Sequence, residues 1–434
     1  MHKRFNYKNI TELKEELERL NLYLPFSNKN LLKNKINIMG MEANNLIGIL
    51  PMEGADSLDD GSPSELTKRR YKRFAKSGAS VIWFEAVAVV PEGRSSKFQL
   101  MLTEKNKNEF KNLVNDIKED CYKENGFYPI IIMQANHSGR YAKPKGTPEP
   151  IMAYNHPIYE KEPIDKSRIA TDDYLDRLVE KFGKASKISE EVGFDAIDIK
   201  SCHGYLFAEL ASAYERKGKY GGNFENRFRL LLNSIESAKA NCKKQKVTVR
   251  LGVYDGFSYP YGYGINENGD MDLSESINLI NILEKDFSLD FLNITFGNPY
   301  QNPHVTRPYD KGKYIPNEHP LEGIARIAKG TKIIKDNTNV KIQSSATTYL
   351  REFSMEYANG LIEEQYCDMV AFGRMAFAYE NFPKDLLAGN LNKNKCCVTC
   401  SECGTLLRNG INTGCIIRDE LYRNIYKEVR DTLK

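Results

Sequence analysis

The chain has 434 residues, and its 62 lysines and arginines nearly balance its 58 aspartates and glutamates, so the formal net charge is only +4. This balance excludes the strong charge asymmetry that is typical of proteins binding nucleic acid or anionic membranes. The charged N-terminus lacks the apolar region of a secretion signal, and no stretch approaches the ~18 apolar residues of a membrane span. The odd cysteine count fits a reducing compartment. We therefore expect a cytoplasmic protein without nucleic-acid or membrane partners.

Short apolar runs alternate with amphipathic segments along the chain. Eight runs have the length and composition of buried strands: 46–50, 81–84, 129–133, 194–199, 247–251, 291–294, 340–343 and 369–372. Apolar positions at three- and four-residue spacing predict helices over 65–76, 104–120, 172–191, 226–239, 274–284 and 349–358. Near-continuous apolar strands suit a parallel sheet that is buried on both faces. The alternation therefore predicts the α/β class and a (β/α)8 TIM barrel.

Polar residues follow several of these strands, and the C-terminal strand ends of a (β/α)8 barrel are where its chemistry lies. The segment 134–140 follows the third run, 200–206 follows the fourth, and Arg250 lies at the end of the fifth. Gly373 and Arg374 follow the eighth run, beside the loop 344–346 after the seventh. Backbone N–H groups and one guanidinium predict a phosphate site there.

Four cysteines near the C-terminus have the spacing C-x2-C-x2-C-x11-C. They are Cys397, Cys400, Cys403 and Cys415, and Cys396 is a fifth cysteine beside them. Thiolates at this spacing suit a [4Fe–4S] cluster or a tetrahedral zinc site. Ligation by thiolates alone, with two successive two-residue gaps, favours iron and sulfide over zinc, which stays open as the alternative.

Several motifs together resemble the Old Yellow Enzyme, or NADH:flavin oxidoreductase, family over residues 35–385. They are Pro51-Met52, the segments 85–89 and 91–94, the segment 134–140, 203–206, 220–228 and 370–374. The C-terminal cysteines resemble the branch that contains 2,4-dienoyl-CoA reductase and trimethylamine dehydrogenase, whose barrels carry a [4Fe–4S] cluster. The resemblance implies an FMN-binding barrel over 1–390, with an N-terminal extension over 1–34, and a cluster segment over 391–434.

The resemblance also implies which residues hold the FMN. Pro51, Met52 and Ala86 offer backbone to the isoalloxazine, Gln134 bonds the pyrimidine edge, and Arg250 lies near N1, where a guanidinium stabilises the reduced anion. The phosphate is expected on Ser345, Ala346, Gly373 and Arg374. A polar pair of Gln134 and Arg250 inside the barrel is the alternative interpretation of those two residues.

The loop after the fourth strand is expected to bind the substrate. By resemblance, Lys200 and His203 bind the carbonyl oxygen of an unsaturated substrate, and Tyr205 delivers a proton. The family commonly has His at the first position, with His or Asn at the second. Because a lysine is a flexible point charge, Lys200 favours a more anionic acceptor such as a carboxylate, or a salt bridge with a nearby acid. A purely structural or solvent-facing Lys200 is the alternative.

Other polar residues have weaker patterns. His137 and Arg140 are expected to orient the loop after the third strand or to lie beside the flavin, and Cys202 is expected to be a small buried filler. A Pro-containing insertion after the sixth strand is a candidate lid or substrate wall, with Tyr300, His304, Arg307 and Tyr309 as candidate contacts.

The leading hypothesis is an ene-reductase, which reduces an activated C=C bond with electrons that pass through the cluster. No G-x-G-x-x-G signature of a dinucleotide-binding domain occurs in the sequence, so we expect a separate donor: a ferredoxin, a flavodoxin or an NAD(P)H-oxidising flavoprotein. Direct reduction by NAD(P)H is the alternative, with a structural cluster. Three further hypotheses stay open: an amine-oxidising dehydrogenase, a non-catalytic electron-transfer subunit, and a flavin-free zinc protein. The family resemblance also allows for homo-oligomers.

Overall fold

The fold is an eight-stranded parallel barrel preceded by a small hairpin. The computed structural model describes residues 1–160, 162, 164–345 and 347–433. Its strands are β1 (Ile36–Ile38), β2 (Met41–Ala43), β3 (Ile47–Ile49), β4 (Val81–Ala88), β5 (Ile130–Asn136), β6 (Ala196–Ile199), β7 (Lys246–Tyr254), β8 (Phe291–Phe296), β9 (Lys341–Ser344) and β10 (Met369–Phe372). Strands β3 to β10 pair in parallel in chain order, and β10 closes the barrel on β3. The predicted (β/α)8 fold is confirmed.

Helices surround the barrel. Those in the described part of the chain are α1 (Ile10–Arg19), α2 (Glu65–Lys76), α3 (Lys107–Asn125), α4 (Asp172–Val192), α5 (Leu206–Ala211), α6 (Phe224–Asn241), α7 (Ser274–Phe287), α8 (Pro303–Thr306), α9 (Pro320–Asp336), α10 (Ser354–Glu363), α11 (Arg374–Ala378), α12 (Phe382–Leu387), α13 (Glu402–Arg408) and α14 (Glu420–Val429). Within that part of the chain, no helix combines the length and the apolar character that crossing a bilayer requires.

Two barrel helices illustrate where the structure differs from the sequence-based expectation. The predicted helix 349–358 is a 3-10 segment, Thr347–Phe353, followed by α10, because Arg351 has a φ of 48° that interrupts the helical path. Helix α9 lies outside the six predicted segments, and its two glycines lower helix propensity. A Cβ at Gly330 would lie 2.5 Å from the Phe296 ring, so this glycine lets α9 approach β8 closely.

One buried carboxylate ties four barrel strands together just below the C-terminal strand ends. Asp198 of β6 has no exposed surface. It accepts hydrogen bonds from the indole of Trp83 (2.8 Å), the side-chain amide of Gln134 (2.6 Å) and the backbone N–H of Arg250 (2.6 Å). Because these partners lie on β4, β5 and β7, Asp198 fixes the positions of the strands from which the site residues project.

The hairpin before the barrel and the segment after it cover opposite ends of the barrel. The β1–β2 turn covers the N-terminal strand ends, since the Met39 N–H donates to Asp290, the residue before β8, at 3.1 Å. At the C-terminal strand ends, the Thr413 N–H donates to the Gly54 carbonyl at 2.7 Å. Asp419, before α14, pairs with Arg69 (2.9 Å) of α2. Cys396 and Cys397 belong to the buried apolar cluster of the barrel. The division into a barrel (1–390) and a separate cysteine-rich segment (391–434) stays a prediction.

Candidate active site

A cavity of about 1110 Å³, partly open to solvent, lies at the C-terminal ends of the strands. Ten residues that the sequence predicted for the site line it together: Pro51, Met52, Gln134, Lys200, His203, Tyr205, Arg250, Ser345, Gly373 and Arg374. Parallel strands bring their carboxyl ends to one rim, which is why residues distant in sequence converge here.

Two residues predicted to bind the cofactor are not among those that line the cavity. Ala86 is buried in β4 outside the cavity lining, and its carbonyl accepts a hydrogen bond from the Gln99 amide at 3.1 Å. Ala346 lies outside the described residues.

The cavity is strongly cationic. Lys200, Arg250, Arg307, Arg374 and Arg408 line it, whereas Glu53 is the one carboxylate among the described lining residues. Burial, together with the neighbouring charge of Arg374, lowers the pKa of Arg307 to about 10. A buried arginine whose charge is disfavoured by burial and by a neighbouring cation is stabilised by an anionic ligand beside it.

Arg250 and Gln134 do not form the polar pair that the sequence left open. Gln134 donates to Asp198 instead, at 2.6 Å. The Arg250 side chain is only 5% exposed, and its Nε finds no hydrogen-bond partner within the described structure. Burial lowers the pKa of Arg250, so the folded barrel alone does not satisfy this guanidinium. An unpartnered buried arginine at a cavity wall is therefore available to a ligand.

Lys200 faces the cavity, not bulk solvent. Its side chain is 5% exposed, and its Nζ lies 3.8 Å from Glu53, which confirms the salt bridge to a nearby acid that the sequence suggested. Burial lowers the pKa of Lys200, and the Glu53 carboxylate opposes this change. The Glu53 carboxylate also accepts from the Ser95 hydroxyl at 2.9 Å, which fixes its position.

His203 and Gly204 turn the chain back on itself after β6. Their φ values are 66° and 69°, a left-handed conformation that is uncommon for a histidine. A Cβ at Gly204 would lie 2.0 Å from the Asn298 amide, so only glycine fits this turn. Burial, with the charges of Arg250 and Lys200, holds the pKa of His203 well below its usual range. His203 is thus a neutral imidazole, and its buried Nε2 has no partner among the described residues.

Tyr205 presents its phenol to the same space. It is 3% exposed, and its hydroxyl lies 2.7 Å from the hydroxyl of Tyr300, which is in the loop after β8. Burial, followed by the charge of Glu53, raises the pKa of Tyr205 well above its usual value. Both phenols are consequently protonated at neutral pH. Tyr300 also stacks on Tyr141, with 3.8 Å between ring centroids.

The four spaced cysteines are electrostatic neighbours beside the cavity. Burial raises the pKa of Cys397 to about 12 and that of Cys415 to about 11, and in both cases the Cys403 thiolate adds to the increase. Burial likewise raises the pKa of Cys400, with Cys403 contributing. Cys403 itself lines the cavity. Among the described residues, no three His, Cys, Asp or Glu side chains converge as single-ion metal ligands.

Backbone N–H groups point at several of these sulfurs. The Thr399 N–H donates to Cys397 Sγ at 3.4 Å. The backbone N–H of Glu402 opposes the increase in the pKa of Cys400 that burial causes. Such N–H to sulfur contacts are the bonds that tune thiolate-ligated clusters. Cys396 is separate, since its Sγ faces the Asn392 carbonyl at 3.6 Å.

Several weaker candidates have structural roles. The His137 ring is satisfied on both sides, by the Tyr174 hydroxyl (2.8 Å) and the Gly139 N–H (3.1 Å), so it orients its loop. Arg140 forms a buried ion pair with Glu209. The following residues lie outside the cavity lining: His137, Arg140, His304, Tyr309 and Cys202.

Sequence reasoning missed three contributors to the site. Glu53 directly follows the predicted Pro51-Met52 pair, which is a usable signal. Asp198 precedes Lys200 by two residues, and strand alternation places both on one face. Arg408 comes from α13, more than 100 residues from its contact, the Pro299 carbonyl (2.7 Å), and no local pattern predicts that approach.

Known proteins share this architecture. The profile of the NADH:flavin oxidoreductase / NADH oxidase family matches residues 34–393. An NADPH dehydrogenase of Clostridium acetobutylicum is 31% identical over 265 residues, which cover 60% of this chain and 72% of that protein. An NADH oxidase of Thermoanaerobacter brockii is 25% identical over 379 residues, which cover 82% of this chain but only 50% of the relative.

A solved structure also aligns with most of the chain. The structure of 2-naphthoyl-CoA reductase with 2-naphthoyl-CoA aligns with a TM-score of 0.73 at 17% sequence identity. The alignment covers 91% of this chain and 58% of that one. At this identity the likeness shows a shared fold.

Proposed function

Because this chain belongs to the NADH:flavin oxidoreductase / NADH oxidase family, the Old Yellow Enzyme barrels, we propose that it reduces an activated C=C bond of an α,β-unsaturated carbonyl or carboxylate compound. Family membership makes it an FMN-dependent oxidoreductase. The observation that carries the finer proposal is the cavity wall of Lys200, His203 and Tyr205, which brings hydrogen-bond donors and a buried phenol to one space.

The cavity residues suit FMN. Arg250 has a buried Nε without a partner in the described structure, and Arg374 has a buried Nη1 in the same condition. We assign Arg250 and Gln134 to the pyrimidine edge of the flavin, with Pro51, Met52 and Ala86 as backbone neighbours, and Ser345, Ala346, Gly373 and Arg374 to its phosphate. A Cβ at Gly373 would lie 2.9 Å from Met52 Sδ, so glycine keeps this corner open. When bound, FMN supplies the hydride that reduces the β-carbon of the substrate.

Lys200 and His203 bind the substrate's carbonyl or carboxylate oxygen. Negative charge develops on this oxygen during reduction, and preorganised donors in a water-poor site lower the free energy of that state. The unpartnered Nε2 of His203 and the buried ammonium of Lys200 are such donors. Since Lys200 is a cation when protonated, this pair favours carboxylates and other anionic acceptors.

Tyr205 donates the proton to the α-carbon. Its raised pKa keeps the phenol protonated, and its 3% exposure limits competition from water. A positioned general acid of this kind accelerates proton transfer by roughly 10²–10⁴-fold.

We further propose that Cys397, Cys400, Cys403 and Cys415 hold a [4Fe–4S] cluster, with zinc as the alternative that the test distinguishes. Support comes from their spacing, their mutual electrostatic influence and the N–H groups that face their sulfurs. Because Cys403 lines the cavity, the segment adjoins the proposed flavin site. Electrons would come from a ferredoxin, a flavodoxin or an NAD(P)H-oxidising flavoprotein, or directly from NAD(P)H.

The cavity charge argues against amine oxidation, the other enzymatic hypothesis. A cationic substrate would meet Lys200, Arg250 and Arg307 with only Glu53 to offset them among the described lining residues. The like charges would repel it.

The test is product analysis. Anaerobically purified protein, reduced with dithionite, is incubated with cinnamate and with cyclohexenone, and the products are identified by NMR. Saturated products support the proposal, and unchanged alkenes in the presence of reduced flavin would refute it. Iron, acid-labile sulfide and zinc analysis of the same sample decides between the cluster and the zinc site.

A further inference from the structure

Tyr205 has a second phenol as its hydrogen-bond partner. The two hydroxyl oxygens, of Tyr205 and Tyr300, are 2.7 Å apart, and either can donate. Both residues line the cavity. The two phenols therefore form a continuous proton path that begins at the proposed α-carbon position.

The loop around Tyr300 is held rigidly. The Asn298 side-chain oxygen accepts from the Tyr300 backbone N–H at 2.9 Å. The Asn298 amide donates to the Tyr141 hydroxyl (3.1 Å) and to the Tyr159 hydroxyl (2.9 Å). Tyr141 in turn stacks on Tyr300 with an interplanar angle of 9°. This arrangement fixes the Tyr300 ring, so its contact with Tyr205 does not depend on a mobile side chain.

The two phenols differ in their access to water and in their electrostatic surroundings. Tyr205 is almost fully buried, whereas Tyr300 is only half-buried. Burial, followed by the charge of Glu53, raises the pKa of Tyr300, while the hydrogen bond with Tyr205 and the Arg408 charge oppose this increase. Arg408 is anchored one residue away, on the Pro299 carbonyl, at 2.7 Å. Arg408 thus partly offsets negative charge on Tyr300, whereas the same charge on Tyr205 would be almost fully buried.

We propose that Tyr300 is a positioning residue that relays a proton through Tyr205. The Tyr205 O–H bond breaks and its proton forms the C–H bond at the α-carbon, while the Tyr300 O–H bond breaks and its proton restores Tyr205. The negative charge rests on the Tyr300 oxygen until a solvent water donates a proton there and leaves as hydroxide, which the buffer neutralises. This inference rests on the proposed alkene reduction, since that reaction creates the demand for the proton.

The test is a proton inventory of the oxidative half-reaction. Flavin in the full-length protein is reduced with dithionite and mixed with cyclohexenone in H₂O–D₂O mixtures, for the wild type and Tyr300→Phe. We expect a curved inventory for the wild type, because more than one proton moves, and a linear inventory for Tyr300→Phe. We also expect the variant to be about tenfold slower, a modest share of what general acid catalysis can contribute.

The matched control is Tyr309→Phe. It removes a hydroxyl from the next loop, after α8, one that donates to the Tyr314 carbonyl at 3.0 Å outside the cavity lining. This variant should retain the wild-type rate and curvature. A Tyr300→Phe variant with a curved inventory, at any rate, would overturn the relay and leave alkene reduction intact. A wild type that reduces neither cyclohexenone nor cinnamate, although ferricyanide reoxidises its flavin, would refute the proposed function and the relay together.

Discussion

The ammonium of Lys200 lies 4.0 Å from the centroid of the Tyr205 ring. Lys200 directly follows β6, and Tyr205 precedes α5, so the left-handed turn at His203 and Gly204 folds one over the other. One short loop consequently presents both the cation for the substrate oxygen and the phenol for the substrate carbon. This contact also predicts that changes at Lys200 affect the surroundings of Tyr205.

Replacing Lys200 by Met should weaken anionic acceptors more than neutral ones. The ammonium that offsets a carboxylate is lost, and Glu53 remains in the cavity without its partner. We expect KM for cinnamate to rise by at least about tenfold, equivalent to ~1.4 kcal/mol, and KM for cyclohexenone to change far less. Steady-state kinetics with both acceptors measures the difference, and Lys200→Arg, which keeps the charge, is the control. Equal effects on the two acceptors would show that Lys200 has a structural role and does not select anionic acceptors.

Replacing Tyr205 by Phe should slow reoxidation of the reduced flavin by alkenes by roughly 10²-fold or more, because the general acid is removed. Flavin reduction, which needs no proton from this phenol, should keep its wild-type rate. Anaerobic rapid mixing measures the two half-reactions separately. Equal loss in both would show that Tyr205 supports the fold of the site and does not donate the proton.

Replacing Cys400 by Ser should remove iron and sulfide and retain the flavin, if the four spaced cysteines hold a cluster. Cys396→Ser is the matched control, because Cys396 adjoins Cys397 but faces the Asn392 carbonyl. Iron, sulfide and flavin content per chain is the measurement. Full iron and sulfide in Cys400→Ser, or their loss in Cys396→Ser alone, would contradict the ligand assignment.

Replacing Arg70 by Met should destabilise the fold strongly. Arg70 forms buried ion pairs with Asp56 and Glu85, whose side chains are 1% exposed. Removing one partner from such a group leaves uncompensated buried charge, at a cost of about 3–5 kcal/mol.

Arg69→Met is the control for this prediction. Arg69 is 38% exposed, and its partner Asp419, although buried, stays paired with Arg73 when Arg69 is lost, so the loss should cost only about 0–1 kcal/mol. Thermal unfolding of both variants measures the difference. Equal midpoints would show that the buried ion pairs do not stabilise the barrel.

The barrel could be predicted from sequence because a parallel sheet buried on both faces leaves near-continuous apolar runs. The predicted run 369–372 has the bounds of β10, and the run 81–84 is the first half of β4. Strand lengths were less predictable, since β4 continues to Ala88 through polar Glu85, whose carboxylate pairs with Arg70 of α2 and accepts from the Gly54 N–H at 2.9 Å. Tertiary partners of this kind leave no local sequence pattern.

The residues at the rim of the site could also be predicted in part from the sequence. His203, Tyr205 and Arg374 follow strands, and the fold brings strand ends together. The contact of Tyr205 with Tyr300 was not predictable, because it depends on the path of a long loop that Asn298 fixes. For the same reason, Arg408 enters the cavity from a segment whose sequence indicated only metal binding.

The most direct test of alkene reduction is a single-turnover experiment on reduced wild-type protein. The protein is purified anaerobically, its flavin is reduced with dithionite, and it is mixed with cinnamate while the flavin absorbance is followed. Our account predicts full reoxidation of the flavin, with one saturated product formed per flavin. A flavin that stays reduced with cinnamate and cyclohexenone, but is reduced by amines when it starts oxidised, would contradict the account.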